Sequence, residues 1–236
     1  VAGQRTTFFL QARDSGGNEK LTPAGDSSRM GVDSQQFTVE IIGDHGSVAG
    51  EVTYIDNGQY QVDYTVLKSG SYQVYVKTGG TDIYCGLGEE ARCSPFELTV
   101  LPGRTFPPAC EVESSHDPID GIVEARVGDS TRLYLQTKDV FGNNRQTGGD
   151  DVRVSFRSTA NPDVVYRGHV LDQNDGSYRL SYSIPLAGSY DVSITVAGER
   201  VQYCVGPTGD KRWDNRQFDG NNVYVSPSFC SLNDEL

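Results

Sequence analysis

Apolar and polar residues alternate with period two along much of this chain. Gln59-Tyr60-Gln61-Val62-Asp63-Tyr64-Thr65-Val66 is one such run, and Ser71-Tyr72-Gln73-Val74-Tyr75-Val76 and Tyr190-Asp191-Val192-Ser193-Ile194-Thr195-Val196 are others. Successive side chains of a strand point to opposite faces, so this period predicts strands with one wet and one buried face. No segment keeps an i, i+3, i+4, i+7 apolar stripe over three turns, which argues against long helices. The breaks between runs read as tight turns. Asp56-Asn57-Gly58 and Asn174-Asp175-Gly176 supply residues that tolerate positive φ, as hairpins require. The fold class read from this pattern is all-β.

The pattern occurs twice. Arg13-Asp14 with Gly17-Asn18 closes the first strand region, and Lys138-Asp139 with Gly142-Asn143 closes a second one, 125 positions later (139 − 14). Tyr60, Tyr64 and Tyr72 then match Tyr178, Tyr182 and Tyr190, while Gly58 and Gly70 match Gly176 and Gly188. A third block, Ser94-Pro95-Phe96 through Val100, is echoed loosely by Ser226-Pro227 through Leu232. A period above about 100 residues means two domains rather than a solenoid of small repeats. About seven strands per unit, with a turn every 8–12 residues, is the pattern of an immunoglobulin-like sandwich. We therefore expect two tandem antiparallel β-sandwich domains, at 1–101 and 109–236. A short proline-stiffened linker at 102–108 should join them at restricted distance.

Charge and cysteine usage narrow the function. The net charge of −12 opposes binding to nucleic acid or an anionic lipid surface, since either needs a basic footprint. No run approaches 18 apolar residues, so no membrane contact is expected of this segment. With Val1 at the start and no signal peptide, the chain reads as a piece of a longer protein. Its five cysteines have no C-x-x-C spacing, and His45, His116 and His169 lie near none of them in sequence, which argues against zinc. Cys85 and Cys93 bracket a short polar loop, and Cys204 and Cys230 a longer one. That arrangement suggests two disulfides and an oxidising compartment, against a reduced cytosolic chain. Cys110–Cys230 is the rival to Cys204–Cys230. The lack of any N-x-S/T sequon leans the other way, since surface proteins usually carry glycans.

The order A-R-D-x-x-G-N, F-x-V-x-I, V-x-D-N-G-x-Y-x-V-x-Y, G-x-Y-x-V-x-V, S-P-F-x-L-x-V resembles the filamin (actin-binding-protein-280) repeat. The second unit adds Gly148-Gly149-Asp150-Asp151-Val152-Arg153-Val154, similar to the family's entry to strand C. The resemblance implies seven-stranded filamin-type sandwiches, with strand C near Gln36–Ile42 and Asp151–Phe156. It also implies a partner-accepting strand edge at Val152, Arg153 and Val154. The cysteine-bearing loops at Cys85–Cys93 and Cys204–Ser226 depart from cytoplasmic filamins. They look more like filamin-type repeats of algal, protist and plant surface proteins, including gamete-adhesion proteins.

Candidate sites are few. There is no G-x-S-x-G, no H-E-x-x-H and no phosphate-cradling loop, so neither an enzyme nor a cofactor is expected. Asp172–Gly176 lacks the twelfth-position Glu of a calcium loop and matches the first unit's hairpin turn. Asp14 and Asp139 are expected to satisfy turn amides, and the tyrosines to pack in the cores. The long loop of the second unit holds Arg212, Trp213 and Arg216, a composition suited to a binding hot spot or to an anchor for the loop itself. The functional expectation is a non-enzymatic adhesion or structural module at the cell surface. It would bind a protein partner (surface receptor or scaffold component) and neighbouring repeats of the same protein. The alternative is a cytoplasmic filamin-like scaffold or actin cross-linker rod.

Overall fold

The computed structural model describes residues 1–13, 16–19, 37–83, 93–114, 124–201 and 222–227. Among these the regular structure is strand, apart from one 3-10 turn at Pro107–Ala109. The chain divides into two compact units, Val1–Leu101 and Pro102–Leu236.

The first unit holds β1 (Thr6–Gln11), β2 (Phe37–Gly43), β3 (Gly46–Asp56), β4 (Gln59–Tyr64), β5 (Gly70–Thr78), β6 (Thr81–Asp82) and β7 (Phe96–Val100). Its pairings run β1-β4-β3-β2-β5-β6, with β7 also on β5, and all are antiparallel. The eleven-residue β3 changes partner midway: Gly46–Gly50 lies along β2 and Glu51–Asp56 along β4. That switch makes one strand serve both layers of a sandwich. Gly50 is the pivot. A Cβ there would sit 2.9 Å from both Val39 Cβ and Val62 Cγ1, so only hydrogen fits where the sheets converge. The alternation in sequence becomes the core: Val39, Ile41, Tyr60, Val62, Tyr72, Val74 and Val76 are buried, while Thr38, Glu40, Ser71 and Gln73 face out.

The second unit repeats the device with a broken strand. It contains β8 (Glu111–Ser114), β9 (Glu124–Arg126), β10 (Thr131–Gln136), β11 (Val152–Ser158), β12 (Val165–Arg167), β13 (His169–Asp172), β14 (Ser177–Tyr182), β15 (Gly188–Val196), β16 (Glu199–Arg200) and β17 (Asn222–Pro227). One sheet is ordered β13-β14-β10-β8. The other is β12-β11-β15-β17-β9, with β16 also on β15. Gly168 separates β12 from β13, and a Cβ on it would meet Val154 Cγ1 at 2.5 Å and Ser181 O at 2.9 Å. Gly50 precedes Tyr60 by ten positions, as Gly168 precedes Tyr178, so the pivot belongs to the duplication. The core is Leu133, Leu135, Phe156, Tyr178, Leu180, Ile184 and Val196, all under 2% exposed. Burying each such side chain contributes about 1.5–3 kcal/mol.

Both units carry a tyrosine corner. The Tyr72 hydroxyl donates to Lys68 O (2.8 Å), and that of Tyr190 to Leu186 O (3.0 Å). The predicted hairpin turns form: Asn57 and Gly58 have φ of 51° and 71°, Asn174 and Gly176 of 63° and 87°.

At the strand C position of the first unit, β2 is not an open edge, because β3 folds back over it from Val39 to Gly43 while β5 takes its other side. In the first unit Ser94-Pro95 leads into antiparallel β7, whereas in the second Ser226-Pro227 belongs to β17, which runs parallel to β15; residues 228–232 of the third sequence block lie outside the described residues. Residues from Gly103 onward are tied to the second unit by the contacts described next.

Candidate binding surfaces

The motif Lys138-Asp139…Gly142-Asn143 builds the best-connected polar centre of the second unit. Asp139 is fully buried. Its Oδ1 accepts the amides of Phe141 and Asn143, both at 2.9 Å, and its Oδ2 accepts Asn143 Nδ2 (2.8 Å) and the amide of Gly103 (2.7 Å). Burial pushes the Asp139 carboxyl upward, but the hydrogen bonds from Asn143, Gly103 and Phe141 outweigh it and hold the pKa below its ordinary value. Arg145 Nη1 donates to Gly103 O (2.7 Å), so one residue of the connecting segment is gripped at both its N–H and its C=O. Phe106 N reaches Lys138 O (2.7 Å), and Thr105 Oγ1 donates to the Asp150 carboxylate at 2.9–3.0 Å. Residues 103–109 thus form a strap on the second unit. Between the strap and the β15–β16 hairpin opens a cavity of about 490 Å³, walled by Phe106 and Ala197 and edged by Arg104, Asp150 and Glu199.

Asp139 therefore acts as the sequence suggested, on turn amides, though its hold on Gly103 across 36 positions was not legible. Asp14, its counterpart, lies outside the described residues. Among the described residues, the remaining buried polar side chains of the second unit, Thr137 and Asn143, serve the same turn region: Thr137 Oγ1 donates to Gly176 O at 2.8 Å, and Asn143 to Asp139. In the first unit Asp63 is nearly buried on the outer face of the β1-β4-β3 layer. It accepts from Thr7, Arg5 (2.9 Å) and Gln61 (2.7 Å), which hold its carboxyl at about 2. Of the tyrosines, Tyr60, Tyr178 and Tyr182 are core, and Tyr64 is half-buried.

The proposed edge residues lie on β11. Val152 and Val154 point into the core, while Arg153 points out and is paired with Asp151 through Nε (3.0 Å) and Nη2 (2.7 Å). β12 covers β11 only from Ser155 to Arg157, and Gly168 N caps Val154 O at 3.1 Å. Val152 and Arg153 extend beyond that cover. Cys85, Cys204, Cys230, Arg212, Trp213 and Arg216 lie outside the described residues. Cys93 is half-buried, with its Sγ 3.9 Å from Ile83 O. Cys110 is a free, buried thiol whose Sγ lies 3.5 Å from Phe106 O, so the rival pairing Cys110–Cys230 does not hold. Cys110 is a core residue here, inward-facing beside Val112 and Leu135, and packing rather than bonding explains it.

Comparison with known proteins agrees with this architecture. Residues 1–97 and 109–204 each match the Filamin/ABP280 repeat. The E3 ubiquitin-protein ligase TRIM45 of Mus musculus is 35% identical over 78 residues, 33% of this chain and 13% of that protein. The chain thus spans a small part of the curated relatives it matches. Among solved structures, the Escherichia coli adhesin FdeC aligns over 95% of this chain and 60% of its own, at 18% identity and a TM-score of 0.49. The Lin-41 filamin domain aligns over 52% and 96%, at 18% identity and a TM-score of 0.36.

Proposed function

Because this chain belongs to the Filamin/ABP280 repeat family, we propose that it is a non-enzymatic adhesion or structural module of a larger cell-surface protein. One observation carries this reading. The buried polar groups of the described residues, Asp139 above all, are engaged in holding turns and strands, which is the use a spacer makes of them. The small share of TRIM45 that matches is consistent with such repeats being accessory parts of longer chains. Partner binding runs through the loop bearing Arg212, Trp213 and Arg216, with the β11 edge at Val152–Val154 as the second surface. A binding loop held at its ends loses less entropy on docking than a free one. Cys85 with Cys93, and Cys204 with Cys230, would supply those clamps.

The test is retention of cells on beads carrying the 236-residue chain. Intact cells should be retained, and cells stripped of surface protein should not. Trp213→Ala should lower retention more than Arg153→Pro, which blocks strand addition at β11. Equal retention of stripped and intact cells rejects the adhesion reading. Loss with Arg153→Pro alone moves the site to the sheet edge. Mass measurement after alkylation, with and without reductant, tests the disulfides.

A further inference from the structure

The duplication gives each unit a layer that corresponds strand for strand, β1-β4-β3 in the first and β10-β14-β13 in the second. Cross-strand partners share a face, so the registers name the rows that point outward. In the first unit these rows are Thr53-Gln61-Phe9 and Glu51-Asp63-Thr7. In the second they are Leu171-Arg179-Tyr134 and His169-Ser181-Arg132. Gly50 and Gly168, immediately before Glu51 and His169, fix the correspondence.

The rows match in position and differ in charge. Arg5 is committed to Asp63 at 2.9 Å and reaches Glu51 only at 3.9 Å, while the Glu51 side chain is 76% exposed. In the second unit His169 and Ser181 replace the two acids, and Arg132 and Arg179 stand where the first unit has Thr7 and Gln61. No carboxylate pairs with either arginine among the described residues. Each face also leaves an apolar side chain uncovered, Phe9 at 56% and Leu171 at 42% exposure.

Stacked sheets commonly pack with their strands nearly aligned. Laying one face on the other about an axis along β4 and β14 sets β3 against β10 and β1 against β13. Glu51 then meets Arg132, Phe9 meets Leu171, and Gln61 meets Arg179. No like charges meet.

We propose that the β10-β14-β13 face of the second unit docks on the β1-β4-β3 face of the first unit of a second copy of this chain. Charge complementarity between corresponding rows selects the copy, and the Phe9–Leu171 contact removes apolar surface from water. Neither the loop at Arg212, Trp213 and Arg216 nor the β11 edge takes part, so failure of this docking leaves the adhesion reading standing.

Sedimentation of the 236-residue chain over a range of concentrations tests the contact. The mass should rise with concentration, fall back on dilution, and fall as salt is raised, because salt screens an exposed ion pair. Glu51→Arg and Arg132→Glu each bring like charges together and should weaken association by about tenfold or more. An equimolar mixture of the two variants should recover it, as should one chain carrying both changes. Both positions are exposed, so melting of either unit should be unchanged. A chain that stays monomeric at millimolar concentration overturns the proposal. So does association that both reversals leave intact, or a loss that the mixture fails to restore.

Discussion

Replacing Asp139 by Ala should be among the most damaging single changes in the second unit. The substitution removes a fully buried carboxylate that accepts three backbone amides, from Gly103, Phe141 and Asn143, and the Asn143 side chain. Hydrogen bonds to a charged group contribute about 1.5–3 kcal/mol each, and a buried donor left without an acceptor costs about 1–3 kcal/mol. The four bonds share one acceptor group and are not additive, and water entering the vacated space would satisfy some donors. A loss of about 3–5 kcal/mol is the resulting expectation, at the upper end of single-residue effects. Asp139→Asn keeps one acceptor oxygen and should cost roughly half as much. Urea unfolding followed through probes in the second unit measures the loss. Native-state exchange at the Gly103 amide reports whether the strap has been released. The same carboxyl gives a pH signature: its folded pKa is depressed, so its contribution is complete above the unfolded value and fades as pH falls below it. An Asp139→Ala protein within about 1 kcal/mol of wild type, with Gly103 exchange unchanged, would refute the reasoning.

Other consequences are as direct. Gly50→Val and Gly168→Val force a side chain against Val39 and Val62, or against Val154 and the Ser181 carbonyl, and each should cost its own unit about 1–3 kcal/mol or more on denaturant titration. Gly176→Ala combines φ of +87° with a Cβ placed 2.2 Å from Arg145 O, so melting curves should show a loss of at least roughly 1–2 kcal/mol. Tyr190→Phe removes the bond to Leu186 O and should cost about 0.5–1.5 kcal/mol, with Tyr72→Phe similar in the first unit. Asp63, held at about 2 by Thr7, Arg5 and Gln61, stabilises the first unit fully above the ordinary carboxylate range; that stability should disappear as pH falls toward 2, and Asp63→Asn should flatten the profile.

What the sequence revealed was whatever depends on neighbours close along the chain. Period-two alternation located β4, β5, β14 and β15, and Asn-Gly and Asp-Gly steps located their hairpins, because strand faces and positive-φ turns are set within a few residues. The pivot glycines were missed although they lie in register. The matched glycines and tyrosines of that block begin at Gly58 and Gly176, eight positions past Gly50 and Gly168, and a lone glycine in such a stretch looks like any turn residue. The status of β2 could not be read either, since whether a strand is an edge depends on which partner folds over it, here the first half of β3. The strap at Gly103 was hidden for the same reason: its acceptors, Asp139 and Lys138, lie more than thirty positions away.

That strap also determines how the second unit meets tension. A pull transmitted along the backbone from the N-terminal side reaches Gly103 before it reaches β8. The bonds to Asp139, Arg145 and Lys138 must therefore fail before the β8–β10 ladder carries load. Their rupture would release residues 103–109, up to roughly 25 Å of chain at ~3.3–3.6 Å per residue, with the sandwich still folded. A repeat built this way yields a short length of slack at low force and re-forms its clasp when the pull relaxes. In a single-molecule stretching trace the event would register as a small reversible step preceding unfolding, and Asp139→Ala would erase it.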